Sequence, residues 1–209
     1  MNKIISIKEN TSSEIIEKKS RFIGNLIRVD NEEDAKNKIE EIKKKYYDAK
    51  HNCFAFIIDG DEKIERFSDD GEPQGTAGKP LLNILEKNNL SNVLLIVTRY
   101  FGGILLGTGG LTHAYNDTGL KAVEEAKLVY LEEGLEVELK TSYDNNNDLK
   151  YLLSKYDLEI KDINYDNEVV YTIEISNEEY EKVTNNHDLV QKITNKNILR
   201  TKLIQKDMN

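Results

Sequence analysis

The chain of 209 residues has one cysteine, Cys53, so no intrachain disulfide can form. That fits a reducing cytoplasm. It has three histidines, His51, His113 and His187. Their spacing, with Cys53, closes no metal site. No apolar run approaches the ~20 residues of a membrane span, and the opening MNKIISIKENTSSE lacks a signal-peptide core. The expected protein is soluble and cytoplasmic, with no membrane segment, no metal and no cofactor. Proline and glycine are also scarce, and unevenly placed. Both prolines, Pro73 and Pro80, and eight of the 12 glycines lie within residues 69–115. Glycine admits positive φ and close approach, and proline fixes φ and removes a donor. Unusual backbone is thus concentrated in two loops flanking one apolar strand.

What is abundant is charge. Charged residues make up 32% of the chain and the net charge is −9. This argues against a generally basic nucleic-acid-binding protein, though not against a local basic patch. Residues 1–130 carry 19 Lys+Arg against 21 Asp+Glu, a net −2; residues 131–209 carry 10 against 17, a net −7. An anion-binding surface is expected in the first part.

Apolar alternation predicts strands at 4–8, 13–18 and 21–29, joined as a three-stranded meander. Asp30, with Glu33 three residues on, predicts the N-cap of a helix running to about residue 46. A strand at 51–58 turns at 59–61 and returns at 64–67. The first special loop, 68–80, leads into a helix from about Thr76 to Asn88. The run VLLIV at 93–97 predicts a strand covered on both faces. The second special loop, 98–108, precedes a helix from about Gly109 to Lys127, in which Gly110 and Gly119 suggest close backbone packing. Residues 128–131 read as strand or linker. From 135 on the order is β-α-β-β-α-β, the ferredoxin-like signature. The expected fold class is α+β, with domains at 1–131 and 132–209.

Two familiar motifs fail. Gly78-Lys79 lacks the glycine and the hydroxyl of a P-loop, because Pro73 and Pro80 stand there. Residues 107–110, GTGG, have Thr112 where a dinucleotide fingerprint needs its third glycine. What remains is a constellation suited to an anion. Gly107, Thr108, Gly109 and Gly110 open a helix whose first N–H groups have no internal partner. Thr112 and Thr108 add hydroxyls, Arg99 a fork of donors, and Lys79 a mobile charge. The acids Asp69, Asp70 and Glu72 could work as acid, base or metal ligand, or simply cap their own turn. Arg99 could meet a ligand or be held by Asp70 or Glu72.

Longer runs carry a resemblance. GKPLLNILEKNNLSNVLLIVTRYFGGILLG at 78–107 and FSDDGEPQGTAGKP at 67–80 resemble the signature of the IMPACT/YigZ family. KKSRF at 18–22 and HNCFAF at 51–56 also look like family positions. The signature loops hold Asp69, Asp70, Gly71, Glu72, Pro73, Gly75, Thr76, Gly78 and Pro80, then Tyr100, Phe101, Gly102 and Gly103. The resemblance implies an N-terminal domain similar to domain 2 of ribosomal protein S5 and a ferredoxin-like C-terminal domain. It implies no established enzyme activity; a peptidase label sometimes given to relatives finds no metal-ligand set here. Eukaryotic relatives regulate translation by competing for the activator of an initiation-factor kinase, and bacterial ones are suspected of nucleic-acid binding. Relatives commonly carry Lys or Arg where this chain has His113, so phosphate binding through that residue would weaken as pH rises through the histidine range.

Three functions follow as expectations. One is a translation-linked protein binding RNA or a ribosome-associated partner through Lys18, Lys19, Arg21, Lys79 and Arg99, with a phosphate-bearing ligand at 107–113. Another is an enzyme acting on a small phosphorylated or acyl substrate through Asp70, Glu72 and Arg99. The third is regulation by protein–protein contact.

Overall fold

The computed structural model describes residues 4–60 and 62–208; Asp61, in the expected 59–61 turn, lies outside them. The chain divides into two units, Met1–Tyr130 with Asp207–Asn209, and Leu131–Lys206. Each is α+β.

The first unit runs β1 (Ile4–Ile7), β2 (Thr11–Glu17), β3 (Ser20–Arg28), α1 (Glu32–Lys45), β4 (His51–Ile58), β5 (Ile64–Ser68), α2 (Gly78–Lys87), β6 (Val93–Tyr100) and α3 (Gly107–Glu124). Its sheet has the order β2-β3-β6-β4-β5, antiparallel at every pairing. The apolar run of β6 sits at the centre. Val93, Leu95 and Val97 join the core under α2 and α3, while Leu94 and Ile96 join the core under α1. A continuous apolar run is what a strand covered on both faces requires. Gly119 of α3 packs against α2: a Cβ there would stand 2.7 Å from Ile84 Cδ1 and 3.0 Å from Leu81 Cδ2. The close packing expected at Gly119 is thus with side chains rather than with another backbone.

Several boundaries differ from the sequence expectation. β1 does not complete a meander. It hydrogen-bonds to β7 (Leu128–Thr141), and Lys8 N–H donates to Lys127 O at 2.8 Å. Alternation identifies a strand but not its partner. The N-cap of α1 is Asn31, not Asp30; Asn31 Oδ1 accepts from Asp34 N–H at 2.9 Å. Helix α2 starts at Gly78 rather than Thr76, and α3 at Gly107 rather than Gly109. β6 continues past its apolar run to Tyr100, because Thr98 and Arg99 remain in register with β3 and β4.

The second unit comprises β7 from Leu131 onward, its first three residues belonging to the first unit, then α4 (Asn146–Lys155), β8 (Ile160–Tyr165), β9 (Val169–Ser176), α5 (Asn177–Asn185), the short α6 (His187–Val190) and β10 (Asn195–Asp207) up to Lys206. β7 pairs with both β10 and β9, and β8 pairs with β9. This is the ferredoxin-like β-α-β-β-α-β order with α6 added. Residues 128–131 are strand, not linker. Alternate residues Val137, Leu139, Val169, Tyr171, Ile173 and Ile175 meet Leu149 and Leu153 of α4 in a separate core. Ser176 caps α5 in a full capping box with Glu179.

Candidate functional site

The acidic loop after β5 is held by its own side chains. Helix α2 has Ala77 at its N-cap, which offers no side-chain acceptor. Asp69 supplies one from upstream. Its Oδ1 accepts from Ala77 N–H at 3.0 Å and Gly78 N–H at 2.8 Å, and its Oδ2 from Gly75 N–H at 2.8 Å. A carboxylate there satisfies orphan donors and complements the helix dipole. Pro80 occupies the third helical position, where a missing N–H costs nothing. Asp70 Oδ2 accepts from Asn52 N–H at 2.6 Å, and His51 Nδ1–H donates to Asp70 O at 2.8 Å. Asp70, Gly71 and Gly75 take positive φ, and the Thr76 hydroxyl donates to Pro73 O at 2.7 Å.

Glu72 points into the interior. Its Oε1 accepts from Arg99 Nη1 at 2.6 Å and from the Tyr115 hydroxyl at 2.8 Å. The two charged side chains are 4% and 6% exposed. The Arg99 guanidinium lies 5.5 Å from the ring centroids of both Phe22 and Phe101, within cation–π range. Arg99 Nε has no hydrogen-bond partner among the described residues. Below this pair, the Cys53 thiol donates to Asp69 O at 2.9 Å. Burial pushes the thiol far above its ordinary range, and likewise the Tyr115 phenol, whose shift neighbouring Cys53 and Glu72 reinforce. That burial disfavours the reactive thiolate form of Cys53. Of the two carboxylates expected as partner for Arg99, the structure gives Glu72.

The second loop faces outward. Residues 101–106 carry exposed Phe101, Ile104 and Leu105, the last 83% exposed. α3 begins behind Leu106 with no side-chain cap and no acid in its first turn. Gly107, Thr108, Gly109 and His113 are exposed. The Thr112 hydroxyl is turned back to Thr108 O at 3.0 Å.

This loop is seated on the β2–β3 hairpin. Gly102 N–H donates to Ser20 Oγ at 3.1 Å. A Cβ at Gly102 would stand 2.0 Å from the Lys19 carbonyl carbon, so no other residue fits. The hairpin turns through Lys18 and Lys19 alone, since Glu17 pairs with Ser20. Their φ values are 45° and 67°, the type I′ geometry that normally selects Asn-Gly. Both lysines are exposed. Arg21 follows, paired with Glu14 at 2.7 Å and 5.9 Å from the Tyr100 ring centroid. The turn at Lys18 and Lys19 thus adjoins the second loop at Gly102. Lys79 sits on α2, with Nζ 3.7 Å from Glu86 and 5.8 Å from the centroid of Phe67. The seating of Gly102 on Ser20 had no signal in the sequence, because the partners are 82 residues apart. Among the described residues no group of three His, Cys, Asp or Glu could hold a metal ion. Among the described residues no helix is long and apolar enough to cross a membrane.

Residues 18–123 match the family model for the Impact N-terminal domain, just over half of the chain. The chain belongs to the IMPACT family. Residues 139–186 match a domain of unknown function, DUF1949. The chain is 47% identical over 115 residues to the IMPACT family member YvyE of Bacillus subtilis, covering 55% of this chain and 53% of that one. It is 41% identical over 150 residues to an IMPACT family member of Haemophilus influenzae, covering 68% and 70%. The matched segment thus spans about half the length of the first of these relatives. A crystal structure described as a hypothetical protein is 30% identical, with a TM-score of 0.63 over 100% of both chains.

Proposed function

We propose that this IMPACT family member is a cytoplasmic, translation-linked binding protein that contacts RNA phosphates through the tip of the β2–β3 hairpin and the adjoining 101–110 segment. One observation carries the reading: two consecutive exposed lysines, Lys18 and Lys19, occupy left-handed backbone positions. Non-glycine residues held there store strain, and strain of this kind collects at functional sites. Helix α3, which the adjoining loop leads into, opens with N–H groups that no side chain caps, and such groups favour phosphate oxygens. Phe101 offers an exposed ring for base stacking, steadied from beneath by the Arg99–Glu72 pair. Arg99 then acts through Phe101 and not by contact with the ligand.

The enzymatic reading has less support. Asp70, Glu72 and Arg99, its working groups, all engage partners within the protein.

The test is fluorescence anisotropy with a 5′-labelled single-stranded RNA. Wild type is expected to bind, and K18N/K19G, which keeps the turn, to bind several-fold more weakly. Equal affinities would remove the hairpin from the site. Exposed Ile104 and Leu105 favour a second reading, contact with a ribosome-associated protein. On that reading L105E abolishes co-purification of the partner and leaves RNA affinity unchanged.

A further inference from the structure

α1 packs over β4 and β6. Beside it, on the same face of the sheet, lies a polar cleft of about 510 Å³. That volume is in the usual range of small-molecule sites, about 300–1,000 Å³. β2 and β3 supply its floor through Ser12, Asn25 and Ile27, and α1 supplies its wall through Lys38, Glu41, Ile42 and Lys45.

Asn25 breaks the pattern of its strand. Ile23 and Ile27 flank it on the same face, and both are buried. Its neighbours across the ladder are Ser12 and Ile96. An apolar residue would complete this face, yet a polar one stands there, 7% exposed. Its Nδ2 has no hydrogen-bond partner among the described residues. A buried unpaired amide lowers stability, and departures of this sort from local pattern mark functional positions.

The charges around the cleft set the ligand class. Lys38 Nζ meets both Glu41 oxygens at 3.0 Å, so that pair cancels. Lys45 remains; its Nζ lies 5.1 Å from the Tyr46 ring centroid, and no carboxylate pairs with it among the described residues. The Asn10 side-chain Oδ1 accepts from Arg28 N–H and the Thr11 hydroxyl donates to Ala122 O, leaving Ser12 as the exposed hydroxyl.

We infer that this cleft binds a small molecule bearing an oxyanion, carboxylate or phosphate, which accepts from Asn25 Nδ2–H and pairs with Lys45. The site is separate from the hairpin surface and does not depend on it. The test follows ¹H–¹⁵N spectra of the full chain during titration with inorganic phosphate and, separately, with acetate, each against sodium chloride at matched ionic strength. A saturable shift of the Asn25 side-chain amide with phosphate alone, or with acetate alone, assigns the source of the oxyanion. K45Q should weaken that shift several-fold without changing the melting temperature. N25L should abolish it and raise the melting temperature, because the unpaired amide is gone. No saturable shift with either anion, a chloride response of equal size, or a K45Q titration matching wild type overturns the proposal. So does a lower melting temperature in N25L, which would make Asn25 a structural residue.

Discussion

Glu72 carries its charge inside the protein, where an unpaired carboxylate would be prohibitive, and Arg99 makes that burial tolerable. The pair joins the acidic loop to β6, and Tyr115 adds α3 through the same oxygen. E72Q keeps the shape but leaves the guanidinium uncompensated, a change that costs about 3–5 kcal/mol for buried pairs. Urea unfolding of E72Q, R99M and the double variant measures this. The double variant should recover most of the loss; additive losses would show that the pair is not coupled. Cys53 and Tyr115 give a prediction in pH. Their ordinary values are 9.0 and 10.0, and burial raises both in the folded state. The unfolded chain therefore gives up these protons first. Their contribution to stability is complete below pH 9.0 and is lost as pH rises beyond it. The urea midpoint should fall from that pH upward, and fall less in C53A; parallel curves would contradict the assignment. At this scale the sequence was half legible. It could offer Glu72 or Asp70 as partner for Arg99 but not choose, since the choice depends on which side chain the turn at Asp70 and Gly71 throws inward.

The hairpin and the loop seated on it form the working element of the account. Lysine in two successive left-handed positions costs about 1–3 kcal/mol each where the strain is not relieved. K18N/K19G, the residues this turn prefers, should raise the melting temperature while it weakens RNA binding. A variant destabilised by the change would show that the lysines are structural. Asp69 tests the other loop: D69A leaves Ala77, Gly78 and Gly75 without their acceptor. Loss of a cap costs about 0.5–2 kcal/mol, read from the urea midpoint; an unchanged midpoint would remove Asp69 as the cap of α2. Strands and helices were legible here because periodicity is local. The starts of α2 and α3 shifted by two residues, since the residues that settle them, Asp69 and the irregular 101–106 segment, lie outside the helices. β1 was misassigned to a meander because its partner β7 lies more than 120 residues downstream.

Across the whole molecule, charge separates the two units. The acidic excess belongs to residues 131–209, which carry −7 of the net −9, so the account confines phosphate binding to the first unit. The ferredoxin-like order of the second was legible in full except for α6, four residues too short to show a period. The two Gly-rich loops were legible as a family signature, but their roles divide in a way that composition could not reveal. The first is consumed in holding itself to β4, β6 and α2, and the second is displayed. The central claim is that the displayed hairpin lysines meet phosphates, and the most direct test is the salt dependence of RNA affinity. Each phosphate neutralised on a single strand contributes about 0.7 to the slope of log affinity against log salt. The account predicts a negative slope for wild type and one shallower by about 1.4 for K18N/K19G. A flat wild-type slope, or identical slopes for the two proteins, would contradict it.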